Sequence, residues 1–293
     1  MVNKKTDKET ITETYIVPSL EEMLLAGVHF GHQKRRWHPR IEPYLYNQPG
    51  KIHIFDLEKT RESLSIAGGV LFETAKAGGS IIFVGTKRQA AEIVKKYAQD
   101  CGAFYVNRRW LGGTITNFDS VKQKLSRLTK IEEGLKSGGQ YDSYTKKERL
   151  DLSRELTKLE EGVGGLRNLK SNPKALFIVD VRRESTAVAE AKKRNIPVIA
   201  IVDSNCSPDL VDYPIPGNDD SARSIELIMK TMAGAFKAGW QRFAQAKEEK
   251  KIEEISEKEV KVQEKLPHRK KGKAEKKIKA AERQKEVRIK ASK

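Results

Sequence analysis

Ser80-Ile-Ile-Phe-Val-Gly-Thr-Lys-Arg88 is an uninterrupted apolar run that stops at a glycine and turns at once into charged sequence. A run without polar alternation is what a strand buried on both faces of a parallel sheet requires. The pattern returns at Ala175-Leu-Phe-Ile-Val179, closed by Asp180, and at Val198-Ile-Ala-Ile-Val202, closed by Asp203. Helical spacing separates these runs. Lys87 to Asp100 carries Ala91, Val94 and Tyr97 on one side and leads to a short strand at Ala103–Val106, and a second helix spans Ser185 to Arg194. Strand–helix alternation of this kind predicts a three-layer α/β domain around a parallel sheet.

Working outward, Lys51–Leu57 reads as a strand and Glu58 to Ala77 as a helix with Leu64, Val70, Leu71 and Ala75 on its buried face, ended by Gly78-Gly79. Ser19-Leu-Glu-Glu22 is a capping box that starts an earlier helix, with Gly27 at its C′ position. A last helix runs from Ala222 to about Phe243, with Ile225, Ile228, Met232, Phe236 and Phe243 near one face. Residues 1–18 are polar, mixed in charge and end in Pro18, the composition of a mobile arm. Body sequence then fills 19–116 and 171–243.

The stretch 117–170 differs. Val121, Leu125, Leu128 and Leu135 fall at heptad spacing, with polar Glu132 at an intervening seam position; Leu152, Leu156, Leu159, Val163 and Leu166 repeat the three-four spacing beyond a turn at Ser137-Gly-Gly139. Two narrow stripes joined by a glycine turn predict an antiparallel coiled-coil hairpin leaving the body, the alternative being two amphipathic helices lying flat on the sheet.

The chain has 293 residues, 57 lysines and arginines against 40 acidic residues, and a net charge of +17. Such a field favours polyanionic partners. Its longest apolar run, Ile196–Val202, is far short of the roughly 20 residues of a membrane span, and the first residues lack the apolar core of a signal peptide. Cys101 and Cys206 have no metal-type spacing, which fits a reduced, cytosolic protein. From 244 to 266 six lysines meet seven glutamates, whereas 267–293 carries a net charge of +9. Neither half has the apolar residues for a core, so 244–293 reads as a charged tail, helical or disordered.

Open α/β sheets bind ligands at the carboxyl ends of their strands, so chemistry belongs there. Gly85-Thr86-Lys87 could cradle a phosphate at a helix N-terminus, but the further glycines of the dinucleotide and phosphate-loop motifs are absent, and Thr86 serves equally as an N-cap. Asp180, Asp203 and Asp209 could form an acid/base or cation site, joined by His29 and His32 if the early loop crosses the sheet end; strand-end aspartates equally serve as turn formers. No nucleophile elbow or His-Glu-x-x-His occurs, and no constellation demands catalysis, a cofactor or a metal.

Two loops stand out instead. Gly27-Val-His-Phe-Gly-His-Gln-Lys-Arg-Arg-Trp-His-Pro-Arg40 packs aromatics among cations, and Asn107-Arg-Arg-Trp-Leu-Gly-Gly113 repeats the pairing. This chemistry suits phosphate binding by charge and stacking on bases or sugars, or a solvated basic loop with its tryptophan tucked inside. A binder of structured RNA is the expectation. Its competitors are a phosphometabolite or nucleotide enzyme on the same sheet and an adaptor that docks a protein on its hairpin.

Taken in order, Gly27-Val-His-Phe-Gly-His32 with Trp37-His-Pro39, Ile52-His-Ile-Phe-Asp-Leu57, Phe83-Val-Gly-Thr-Lys-Arg-Gln89, Arg108-Arg-Trp-Leu-Gly-Gly-Thr-Ile-Thr-Asn117, Val179-Asp180 and Ile196–Asp203 closely resemble the bacterial small-subunit ribosomal protein two family, over roughly Ser19 to Phe243. The resemblance implies a flavodoxin-like parallel sheet with a protruding coiled coil. It also implies a non-enzymatic, cytoplasmic protein on the small ribosomal subunit, between head and body on the solvent side. There such a protein contacts small-subunit ribosomal RNA and helps recruit the large, mobile first protein of that subunit, which captures messenger RNA. The arm and tail lie outside the resemblance. The cations expected to face phosphates are Lys34, Arg35, Arg36, Arg40, Lys87, Arg88, Arg108 and Arg109, with Trp37 and Trp110 bracing their loops from inside.

Overall fold

The computed structural model describes residues 15–46, 50–136 and 138–264, with side chains as far as residue 249. Residues 1–14, 47–49, 137 and 265–293, and with them most of the expected arm and the second half of the charged tail, lie outside the described residues. The chain divides into a unit ending at Phe243 and one beginning at Ala244.

Local signals fix the first elements. In α1 (Leu20–Ala26) Ser19 and Glu22 exchange both bonds of the capping box, and Gly27 closes the helix with φ 73°, a conformation that favours glycine. The histidine-rich segment that follows is partly regular. β1 (Phe30–Gln33) leads into a 3-10 turn at Lys34–Arg36 and a second at Pro39–Tyr44, then β2 (Leu45–Tyr46). The expected strand at 51–57 is β3 (Ile52–Phe55), but it lies outside the parallel sheet. It pairs antiparallel with β1 and β2 in a small sheet of its own.

After α2 (Leu57–Lys76), capped by Asp56, come β4 (Ile81–Val84), α3 (Ala91–Cys101) and β5 (Phe104–Val106). The helices α4 (Phe118–Gly134) and α5 (Lys146–Val163) pack on each other. Then follow β6 (Ala175–Val179), α6 (Ser185–Lys193), β7 (Val198–Val202), β8 (Tyr213–Pro216) and α7 (Ala222–Glu264). The parallel sheet runs β5-β4-β6-β7-β8, the 2-1-3-4-5 order of flavodoxin-like folds. β8 is invisible to apolar patterning because Pro214 and Pro216 interrupt it. Prolines are tolerated there because β8 is an edge strand.

Every residue of β4, β6 and β7 is buried, and alternate side chains feed two cores. Ile81, Phe83, Phe177, Val179, Ile199 and Ile201 meet Leu64, Leu71, Val94, Ile228 and Phe236 of α2, α3 and α7 on one face. Ile82, Val84, Leu176, Ile178, Val198 and Ala200 meet Ala187, Val188 and Ala191 of α6 on the other. Right-handed crossovers that run in opposite directions from β4 and β6 put α3 and α6 on opposite faces, so a crevice opens between those two strand ends.

Two expectations shift in detail. Tyr15 is buried, its hydroxyl donates to the Ser65 carbonyl at 2.7 Å, and a Cβ on Gly68 would lie 2.6 Å from its ring. Within the stretch 1–18, then, the chain is already packed on α2 from Tyr15. On α4 the buried positions are Val121, Leu128, Ile131 and Gly134, so Ile131 rather than Glu132 continues the apolar stripe. Val121, Leu128, Val163 and Leu166 join the α6-side core, with Leu125, Leu156 and Leu159 packed against it, and Arg127 and Glu155 form a two-bond ion pair between α4 and α5 at 2.9 Å.

Two glycines of α7 separate packing from propensity. A Cβ on Gly239 would collide with the Phe72 carbonyl oxygen of α2, whereas a Cβ on Gly234 meets nothing within 4 Å. In urea unfolding, Gly239→Ala is expected to lose about 1–3 kcal/mol through overpacking. Gly234→Ala is expected to gain about 0.5–1 kcal/mol from helix propensity.

Candidate functional site

The carboxyl edge of the sheet holds two layers of charge. The inner layer centres on Lys87, which follows β4, and Asp180, which closes β6. Lys87 Nζ lies 2.8 Å from Asp219, 2.6 Å from Asp220 and 3.4 Å from Asp180, with its side chain only 14% exposed. His32 Nδ1 lies 3.0 Å from Asp203, and its Nε2 lies 3.4 Å from Asp220. Four carboxylates therefore share one ammonium and one imidazole. Burial, together with Asp203 and Asp180, pushes the Asp219 carboxyl up to about 7. The hydrogen bond to Asp203 raises His32. Burial alone would lower Lys87, but its bonds to Asp219 and Asp220 outweigh this and raise it.

These contacts answer the phosphate question. Thr86 is not the N-cap of α3, which begins at Ala91 after turns at 87–90; its hydroxyl bonds Glu184 at 2.5 Å and accepts from Arg183 Nε at 2.9 Å. A Cβ on Gly85 would sit 2.7 Å from Val94 Cγ2, so the glycine serves strand–helix packing. The Lys87 ammonium that could have met a phosphate there is instead paired with carboxylates of the chain itself. Of the cations expected to face phosphates, Lys87 is thus largely buried and paired with three aspartates.

Of the residues weighed for a metal, only His32 and Asp203 converge among the described residues, and the third member of the group is Asp220, which the sequence did not single out; the ligand atoms of the three all lie within 4.8 Å of one another. That donor set is compatible with a divalent cation, which would compete with Lys87 for Asp220. Asp209 instead pairs with Arg40, and Asp180 caps its own turn through Arg183 N at 3.0 Å. His29 is outside the cluster, its Nδ1 buried without a partner among the described residues.

The outer layer is cationic. Lys34, Arg35 and Arg36 are exposed on their 3-10 turn, which is tied to the end of β7: His32 N donates to Ser204 Oγ and His38 N to the Ser204 carbonyl, both at 2.7 Å. Trp37 stacks on His53 with centroids 4.9 Å apart. Arg88 is exposed beyond β4, and Arg108 and Arg109 beyond β5. Sequence reasoning passed over Arg182 and Arg183, exposed at the end of β6; the signal was their place two and three residues past a strand-closing aspartate. Since β5, β4 and β6 are adjacent, these clusters fall along an edge about 10 Å long. Among the described residues no carboxylate pairs with Lys34, Arg35, Arg36, Arg88, Arg108, Arg109 or Arg182.

Comparison with known proteins gives a consistent family. The family described as Ribosomal protein S2 matches residues 23–239. A protein of Rhizobium etli (strain CIAT 652) named "Small ribosomal subunit protein uS2" is 48% identical over 217 residues, which is 74% of this chain and 84% of the relative. One of the same name from a Nitratiruptor species is 48% identical over 221 residues, 75% of this chain and 82% of the relative. This chain belongs to the ribosomal protein S2 family, a family of structural, non-enzymatic proteins.

Breaking the inner layer should cost stability. Lys87→Met strands buried carboxylates and is expected to destabilise the fold by about 3–5 kcal/mol. The Asp219 carboxyl is already raised by burial and its aspartate neighbours, and without the ammonium that holds it down it lies further above its unfolded value, so the folded state holds more protons. Stability lost at neutral pH should return as the pH falls towards the unfolded carboxyl value near 4. Urea titrations of both proteins across that range are the check; an Arg88→Ala control should be silent.

Proposed function

We propose that this member of the family is a structural constituent of the small ribosomal subunit that grips small-subunit ribosomal RNA with the cationic carboxyl edge of its sheet. The observation that carries this is the division of charge. The inner cation is neutralised by the protein's own aspartates, whereas the outer ones stand exposed and unpaired among the described residues. Cations held at the ends of adjacent strands suit phosphates displayed by folded RNA, which position a protein without reading sequence. Arg35, Arg36, Arg88, Arg108 and Arg109, with Lys34, are the contacts; Arg40 shares its charge with Asp209. Trp110, buried, braces its loop rather than stacking on a base.

In the same proposal α4 and α5 form the coiled-coil hairpin, within 117–170, that leaves the α/β body. The burial of only Val163 along α5 and the Arg127–Glu155 pair support this. Recruitment of the large mobile first protein of the subunit, which captures messenger RNA, belongs to the proposal through the resemblance of the ordered motifs, as does a cytoplasmic location. Among the described residues no helix is long and apolar enough to cross a membrane.

Arg35→Ala combined with Arg36→Ala is expected to weaken incorporation into small subunits and leave the melting temperature nearly unchanged. The slope of log affinity for small-subunit ribosomal RNA against log salt should fall by about 0.7–0.9 for each phosphate that is no longer engaged. Unchanged incorporation with a large drop in melting temperature would mark these arginines as structural.

A further inference from the structure

Between Arg109 and α4 the chain runs through Trp110 to Asn117 without a strand or a full helix, so its amide groups need partners of other kinds. Thr114 N and Asn117 N turn back on the Leu111 and Gly113 carbonyls at 3.0 and 2.8 Å, and one side chain from outside the segment takes the amides of Gly113, Ile115 and Thr116. Glu190, on α6 and itself buried, accepts from Trp110 Nε1 at 3.1 Å and Gly113 N at 2.8 Å through Oε1. Its Oε2 accepts from Ile115 N at 3.0 Å and from Thr116 N and Oγ1, each at 3.1 Å. Gly113 has φ 89°, a left-handed conformation that favours glycine, and its N–H points into this array. Arg194, just beyond α6, adds a second tether by donating to the Thr116 carbonyl at 2.9 Å.

We propose that Glu190 is the positioning residue of the Arg108–Arg109 loop: its carboxylate gathers five donors of the Trp110–Thr116 segment and so presents the two arginines in a fixed place on the RNA-binding edge. The inference rests on the RNA-binding reading of that edge. Glu190 is buried and touches no phosphate; it acts through the loop. A charged acceptor in place of scattered neutral ones makes stronger bonds, and a single anchor for five donors fixes the segment's shape. Burial would raise the Glu190 carboxyl, but the amides of Ile115, Thr116 and Gly113 outweigh it and hold it below the usual range, so it stays ionised at neutral pH. The same helix follows Arg182 and Arg183 in sequence, so the anchor also sets the Arg108–Arg109 pair relative to the cations beyond β6. Cations held in place bind without the ordering cost that a loose loop would incur.

The test uses the full-length protein and purified small-subunit ribosomal RNA. Glu190→Gln replaces one acceptor oxygen with an amide NH2 that faces N–H donors, and it should weaken binding roughly tenfold, by loss of preorganisation. Combining it with Arg108→Ala and Arg109→Ala should weaken binding no further than the two arginine changes alone, because the anchor has then nothing to position. Thr116→Val, which removes one donor and leaves the carboxylate in place, should give a smaller loss with the same non-additivity, and it carries the test if Glu190→Gln fails to fold. Trp110 emission, read in a Trp37→Phe, Trp240→Phe background, should shift as its indole bond is lost. If the arginine changes do not weaken binding, the RNA-binding reading of this loop is wrong. If they do, but the Glu190 and Thr116 variants bind like their parent, or their losses add fully to those of the arginines, the positioning role is wrong.

Discussion

Much of the carboxyl edge depends on one ammonium group. Lys87 stands at the crevice between β4 and β6, where flavodoxin-like sheets ordinarily admit a ligand, and three aspartates of the chain surround it. Because Asp219 and Asp220 open the segment before α7 and Asp180 closes β6, the ion cluster draws distant parts of the chain to one point. His32 and Asp203 extend it to the small antiparallel sheet and to β7. A buried cluster of this kind gains little net stability over an apolar core, but removing its cation leaves negative charge with nowhere to go. The fold is thereby committed to keeping Lys87 paired with its own aspartates.

Outside the cluster the cations of the carboxyl edge stand exposed. Cationic loops follow β4, β5 and β6, and a fourth is fastened to β7 through Ser204. Each is held by a different device: the Ser204 bonds for Lys34–Arg36, the Thr86–Glu184–Arg183 contacts beside Arg88, and Glu190 for Arg108 and Arg109. In every case a buried or half-buried polar group fixes a loop whose charges face outward. On the proposed reading, that arrangement lets a sheet of the flavodoxin-like kind present a cationic platform to a polyanion.

Much of this was legible in the sequence. Continuous apolar runs gave β4, β6 and β7 to within a residue, since strands buried on both faces admit no polar positions. The Ser19 box and Gly27 marked α1 as surely. What escaped had physical reasons. β8 hides behind two prolines that only an edge strand tolerates, and β3 looks like any apolar strand, although its partners β1 and β2 lie in the histidine-rich segment. Thr86 carries the signature of a cap, but a glutamate 98 residues away claims its hydroxyl. Lys87 and Arg88 are adjacent and alike in charge, yet one points into the carboxylates and the other into solvent. Only the packing of Asp219 and Asp220 against β4 decides which. Glu190 left no mark at all, because a glutamate on a helix reads as solvent-facing until the loop that folds over it is known.

The most direct measurement is arginine- and lysine-directed chemical modification of the protein, free and assembled into small subunits, read residue by residue. Arg35, Arg36, Arg88, Arg108 and Arg109 should react readily in the free protein and be protected on assembly, while Lys87 should resist reagent in both states. Equal reactivity of those arginines in the two states, or a Lys87 that is open in the free protein and becomes protected on assembly, would contradict the division between an internal charge cluster and an external RNA-binding edge.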